Sequence, residues 1–246
     1  MNSNALRNIG ILATHDIRVA ARTPVMLVML AACVLLMLVF SSIAGGPDLT
    51  SDAFLMATVI AVSPAFTGSI CSLYTMSEEI ERGVPATLVQ SGMTTRQIAA
   101  GKFLCSYVWT LITVVLCGLT LGFSLERLSV TLALSIPASL PILLVSLGCG
   151  LLASDQMKSS IYSLPIVALA IVPLLGLISN SLRHVACFLP MGFGAEAACL
   201  VTGAPATLSP AVIAALCLLW IAASAAFVVW AHRRYKERII RAIERQ

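Results

Sequence analysis

Residues 77–102 read SEEIERGVPATLVQSGMTTRQIAAGK, and they lie between two long apolar runs. The stretch holds six charged side chains: Glu78, Glu79, Glu81, Arg82, Arg96 and Lys102. Its punctuation is ordered. Gly83 is a helix stop, Pro85 suits the first position of a new helix, and Gly92 ends that helix after Ser91. Thr94-x-x-Gln97 has the form of a capping box. The spacing predicts an acidic turn whose carboxylates favour the positive end of a helix. A short helix over 85–91 and a capped helix running through Lys102 into the next apolar run follow. A plain connector needs only about 4–6 residues, so a folded element is expected here.

The flanks set its surroundings. Of 246 residues, 59% are hydrophobic and 11% charged. Soluble domains carry about 25% charge, so this chain cannot hide its apolar surface in one aqueous core. Apolar runs at 25–44, 53–76, 103–122, 130–153, 161–178 and 210–230 each approach the roughly 20 residues that a membrane helix needs. The expected fold is all-α, a polytopic membrane protein with six transmembrane helices in a single domain over 1–246. The first run reads as a retained span, because it is long and more than twenty residues precede it, although Ser42-Ile43-Ala44 would suit signal-peptide cleavage. Pro64 and Gly68 break the second run, which carries Ser63, Thr67, Ser69 and Ser72. Gly118-x-x-x-Gly122 closes the third, a spacing that allows close helix approach.

Between and beyond the spans, residues 1–23 place Arg7, Arg18 and Arg22 beside Ile9, Leu12, Ile17 and Val19 at near-helical spacing. This predicts an interfacial helix with its arginines towards lipid phosphates. Gly45 to Asp52 reads as a short turn with two aspartates. Residues 179–209 are too polar and too rich in Gly and Pro to cross outright, so 188–201 is expected to lie at the interface or dip part-way in. Residues 231–246 form a basic helical tail.

An even number of spans puts both termini on one side. Placing them inside gathers thirteen of the fifteen Lys and Arg residues in the cytoplasm and leaves only Arg127 and Arg183 outside. The positive-inside rule therefore makes 77–102 cytoplasmic and 179–209 external, in the cell membrane.

Several chemistries are excluded. No Asp, Glu, Lys, Arg or His falls within the six apolar runs, where proton relays and ion-coupled carriers place such groups. No nucleophile–base pair suggests a catalytic site. The eight cysteines form no CxxC pair, six of them lie in apolar runs, and no metal site is expected. Cys187 and Cys199 share the outer segment and can pair if it faces an oxidising compartment. The basic residues flank spans without interleaved aromatics, which excludes nucleic acid as a partner. A phosphate-binding loop is missing too: before Gly101-Lys102, Arg96 stands where its first Gly belongs, and Phe103 replaces its Ser or Thr. The chain has a pathway's composition and no engine.

Glu78-Glu79-x-Glu81-Arg82-Gly83, then Leu88-Val89, then Arg96-Gln97-Ile98 and Gly101-Lys102 resembles the cytoplasmic signature loop of ABC-2 type transporter permeases. The layout is similar as well: interfacial helix, six spans, a loop after span two and an outer hairpin before span six. The resemblance implies a coupling helix that docks in a separate ATP-binding subunit through Glu78, Glu79, Glu81, Arg82, Gly83, Pro85, Leu88, Val89, Gln90, Arg96 and Lys102. It implies a second permease subunit, cargo passing between the two, and ATP and Mg held by the partner rather than by this chain. The outer segment would match the family's re-entrant helices. Gly83-Val84-Pro85 departs from the family's Gly-Thr-Leu or Gly-Ser-Leu, and Gly92-Met93 from its Ser-Pro or Thr-Pro. The haem-exporter membrane subunits share a similar loop and stand as an alternative, as does a channel or ion-independent carrier.

Overall fold

The computed structural model describes residues 3–43 and 51–243. The expected turn over 45–52 lies outside these apart from Ser51 and Asp52, as do Ala44 and Arg245. The helices are α1 (Ser3–Ala20), α2 (Pro24–Ile43), α3 (Ser51–Ser63), α4 (Ser69–Glu81), α5 (Val84–Gln90), α6 (Thr95–Thr120), α7 (Leu125–Leu152), α8 (Gln156–Ile178), α9 (Asn180–Ala186), α10 (Gly192–Thr202) and α11 (Pro210–Ile243). A π-helical segment, Pro64–Gly68, joins α3 to α4. Among the described residues there is no strand. Six helices are long and apolar enough to cross a membrane: Pro24–Ser42, Asp52–Glu81, Thr95–Thr120, Leu125–Leu152, Gln156–Ile178 and Pro210–Arg241.

Most of these helices outrun the apolar runs that announce them. The second span continues to Glu81, and the third starts at Thr95. Ionisable groups therefore do ride on the spanning helices, at their ends. The basic tail is likewise no separate element: α11 is one 34-residue helix, about 50 Å long. Its Tyr235 and Ile239 pack with Met76 and Leu151, and Arg238 donates to the Ala153 and Leu151 carbonyls, closing the C-terminal end of α7.

The α3–α4 helix is central, packing against α2, α6, α7, α8 and α10. Proline there does not break the helix as expected. Pro64 has no N–H to donate and crowds the preceding turn; the chain answers by widening into a π turn closed by Ser69 N–H on the Pro64 carbonyl. Thr67 Oγ1 lies 2.9 Å from Thr113 Oγ1 on α6. A Cβ on Gly68 would run into the Thr110 hydroxyl and a Leu143 methyl, so α6 and α7 close around this point. The Gly118-x-x-x-Gly122 spacing also turns out to be local. Gly118 faces Leu128 of the next helix, and Gly122 has φ +70° in the turn that ends α6.

The segment over 179–209 folds back onto the bundle. Gly176 of α8 faces Arg183 and Ala186, so α9 returns along α8, and Gly194 of α10 rests on Ile60 and Ala138. Ile60 is eight residues along the helix from Asp52, about 12 Å at 1.5 Å per residue. Trp220, ten residues into α11, donates its indole N–H to the Phe188 carbonyl at 2.9 Å, giving about 15 Å. A buried ion pair holds the hairpin: Arg183 Nε lies 2.8 Å from Glu196 Oε1, with Glu196 1% exposed. The Glu196 carboxylate also accepts the Thr207 N–H at 2.6 Å. Burial alone would lower the Arg183 pKa, but the bond and charge of Glu196 outweigh it and hold it above its ordinary value. Cys187 and Cys199 are free thiols here, both buried, and burial pushes both pKa values up. The two arginines outside the positive cluster are thus each neutralised, since Arg127 forms a two-pronged pair with Asp52.

Candidate functional site: the α4–α5–α6 surface

The carboxylates at 78–81 sit at the C-terminal end of α4, where the helix dipole disfavours them. The expectation of an acidic helix start is corrected, because α4 simply continues past the apolar run. Each carboxylate has its own partner instead. Arg82 Nη2 lies 2.7 Å from Glu78, Lys102 Nζ contacts Glu79, and the Gln156 N–H at the start of α8 donates to Glu81 at 3.4 Å.

Gly83 has φ +71° and Gly92 φ +95°, a backbone that side chains other than glycine adopt at a cost. Between them α5 runs Val84–Gln90, one residue earlier than expected, because Val84 takes the first helical position and Pro85 the second. Gly92 N–H donates to the Val89 carbonyl and Met93 N–H to that of Leu88, the paired bonds of a Schellman end. The Thr94–Gln97 capping box is present in both directions, at 2.7 and 3.3 Å. It starts α6.

One side of α5 is seated on the bundle. Pro85 and Ala86 are buried beside Tyr235, Arg238 and Ile239 of α11, around a cavity of about 240 Å³. Val89 packs against Met76, Tyr235 and Ile239. Leu88 faces Leu12 and Asp16 of α1 across a cavity of about 430 Å³. The other side, Thr87, Gln90 and Ser91, is exposed, as are Arg82, Gly83 and Arg96.

Lys102 does not join that surface. It is seven residues along α6 and 1% exposed, with Nζ 2.9 Å from Asp16 Oδ2 and in contact with Glu79 Oε1. His15 Nδ1 lies 3.3 Å from the other Asp16 oxygen. Lys102 and Glu79, expected among the docking groups, are instead internal struts that tie α6 to α4 and α1. Asp16 went unnoticed in the sequence, although the signal was available. It shares a helical face with Ala13 and Ala20, which are buried, and a lone carboxylate on such a face requires a cation. Arg7, Arg18 and Arg22 are exposed, as are Leu6, Ile11 and Val19, so α1 turns a mixed basic and apolar side outward. Its inner side touches α6 where a Cβ on Gly101 would strike Leu12.

Mechanically, α5 is a two-turn helix hinged by glycines and linked to four others. Two residues join it to α4, four join it to α6, its floor is α11, and the Asp16–Lys102–Glu79 cluster adds α1 to the same unit. Among the described residues no set of three or more potential metal ligands comes together. Comparison of the chain with protein-family models and with curated proteins gives no match.

Proposed function

We propose that this chain is the membrane-spanning permease subunit of an ATP-driven exporter of the ABC-2 type. It forms half of the translocation pathway, pairs with a second permease subunit, and couples to a separate ATP-binding subunit that carries ATP and Mg. It sits in the cell membrane with both termini cytoplasmic. The observation that carries the proposal is α5: a short helix between two left-handed glycines, seated by Pro85 and Ala86 and exposing Thr87, Gln90 and Ser91. A connector with no partner has no need of such a platform. In this reading a push on α5 moves the inner ends of α4 and α6 together with α1, because Lys102 binds both acids. The α9–α10 hairpin takes the part of the family's external re-entrant helices.

A pore lined by hydroxyls receives less support. Thr58, Thr67, Ser69, Ser106, Thr110 and Ser146 each donate to a carbonyl four residues earlier in their own helix, which satisfies them within the bundle. Co-purification tests the proposal. An ATP-binding subunit should copurify with the wild-type chain and be lost when residues 84–92 become a Gly/Ser linker. Equal recovery of the linker variant would sink it.

A further inference from the structure

A third concavity opens between α1, α6 and α11, beside α5. It encloses about 950 Å³, near the top of the roughly 300–1,000 Å³ range of small-molecule sites. Its floor is apolar, from Ile9, Val89, Ala100 and Ile239, and its rim is basic, from Arg96, Arg233 and Lys236, with the half-buried His232 between them. Among the described residues no carboxylate lines it.

Elsewhere in the chain some cations are paired, and others, Arg7, Arg18, Arg22, Arg234, Arg238 and Arg241, form no ion pair among the described residues. Arg82, Lys102, Arg127, Lys158 and Arg183 each meet a carboxylate. Among the described residues Arg96, Arg233 and Lys236 form no ion pair. His232 stands within electrostatic reach of Arg96 and Lys236, against the Thr95 backbone, and its Nε2 is buried without a hydrogen-bond partner. Converging cations with no counter-charge repel one another, and an anion removes that repulsion. The groove also lies at the ends of two apolar helices. Arg96 is in the first turn of α6, and Lys236 lies near the inner end of the sixth apolar helix, where hydrocarbon gives way to headgroups.

We infer that this groove binds an anionic phospholipid, with the phosphodiester between Arg96 and Lys236 and an acyl chain along Ile9, Ala100 and Ile239. Guanidinium presents a fork to phosphate oxygens, and an apolar floor under a basic rim matches an amphiphile better than a free anion or an acidic peptide. The inference needs only the membrane location, so it stands or falls independently of the exporter proposal.

The test titrates the full chain, in neutral detergent, with dioctanoyl phosphatidylglycerol and dioctanoyl phosphatidylcholine, reading bound lipid by native mass spectrometry. The anionic lipid should bind at least tenfold tighter. Arg96→Gln with Lys236→Gln should weaken it about 30-fold, from roughly 1 kcal/mol per basic contact. Arg234→Gln with Arg241→Gln, on another face of α11, should change it less than twofold. Ala100→Trp, which fills the floor and keeps every charge, should also weaken it, with helicity by circular dichroism reporting that each variant is folded. Equal binding of the two lipids overturns the inference, as does an equal effect of the Arg234/Arg241 pair. So does competition by inorganic phosphate at the lipid's own concentration, which would mean a bare anion site. Failure of phosphatidylglycerol to bind while the ATP-binding subunit shields Arg96 from chemical modification would assign the groove to protein instead.

Discussion

Lys102→Met is the most informative single substitution. It keeps the side chain's length and removes the charge that Asp16 and Glu79 share. Their two contacting oxygens both touch one nitrogen, so they lie within about 6 Å of each other. At an effective dielectric near 20, two carboxylates at that distance repel by about 3 kcal/mol. Stripping one partner from a buried pair typically costs about 3–5 kcal/mol. Glu79 keeps 22% of its side chain in solvent, which favours the lower figure, about 3 kcal/mol. Glu79→Gln is the contrast, since it leaves a one-to-one Lys102–Asp16 pair and should cost about 1 kcal/mol. The triple change Asp16→Asn, Glu79→Gln, Lys102→Met removes every charge together and should recover most of the loss. Reversible unfolding in mixed detergent–SDS micelles measures all three. Trp109 is a built-in probe, because it packs with Ala20 of α1, Met26 and Cys105. The reasoning is refuted if Lys102→Met unfolds within 1 kcal/mol of wild type, or costs no more than Glu79→Gln.

Further expectations follow from single sites. Gly83→Ala meets no neighbour within 4 Å but must hold φ +71°; it should cost about 1 kcal/mol in the same assay, whereas Gly10→Ala, on open helix surface, should stabilise by about 0.5–1 kcal/mol. Glu196→Ala strands Arg183 and frees the Thr207 N–H, so protease cleavage across 203–209 should quicken at least tenfold while cleavage across 82–94 is unaffected. Asp155 has its pKa lowered from 3.8, first by the Lys158 N–H and then by the Ser154 hydroxyl. Its stabilisation is therefore present above that ordinary value and lost as pH falls through the lower folded one. An Asp155→Asn variant should lose less stability than wild type between pH 5 and pH 2, approximate limits set by the carboxylate range.

What the sequence made legible was local. The Thr94–Gln97 box, the Gly83 and Gly92 stops and the short helix between them involve residues within a few positions of one another, and the structure contains all of them. The apolar runs marked the six long helices for a similar reason, since hydrocarbon length is written directly in residue count. What escaped was tertiary. Asp16, Glu79 and Lys102 lie on three helices, and nothing in the local spacing says that they meet. The same holds for Arg183 and Glu196, which lie on two different helices, α9 and α10. Pro64 shows a third kind of miss: a residue that breaks an isolated helix is absorbed as a π turn when neighbours on all sides hold the chain. The position of Glu78–Glu81 was misjudged because hydropathy marks where apolar side chains stop, not where the helix does.

The exporter proposal rests on α5 meeting an ATP-binding subunit, and a site-directed cross-link tests that contact directly. A photoreactive residue at Thr87, on the exposed side of α5, should cross-link to the ATP-binding subunit in membranes, with a yield that changes when ATP is added. The same residue at Val172, exposed on the apolar surface of α8, should not. A Thr87 probe that captures only lipid or water, with or without nucleotide, would contradict the proposed coupling.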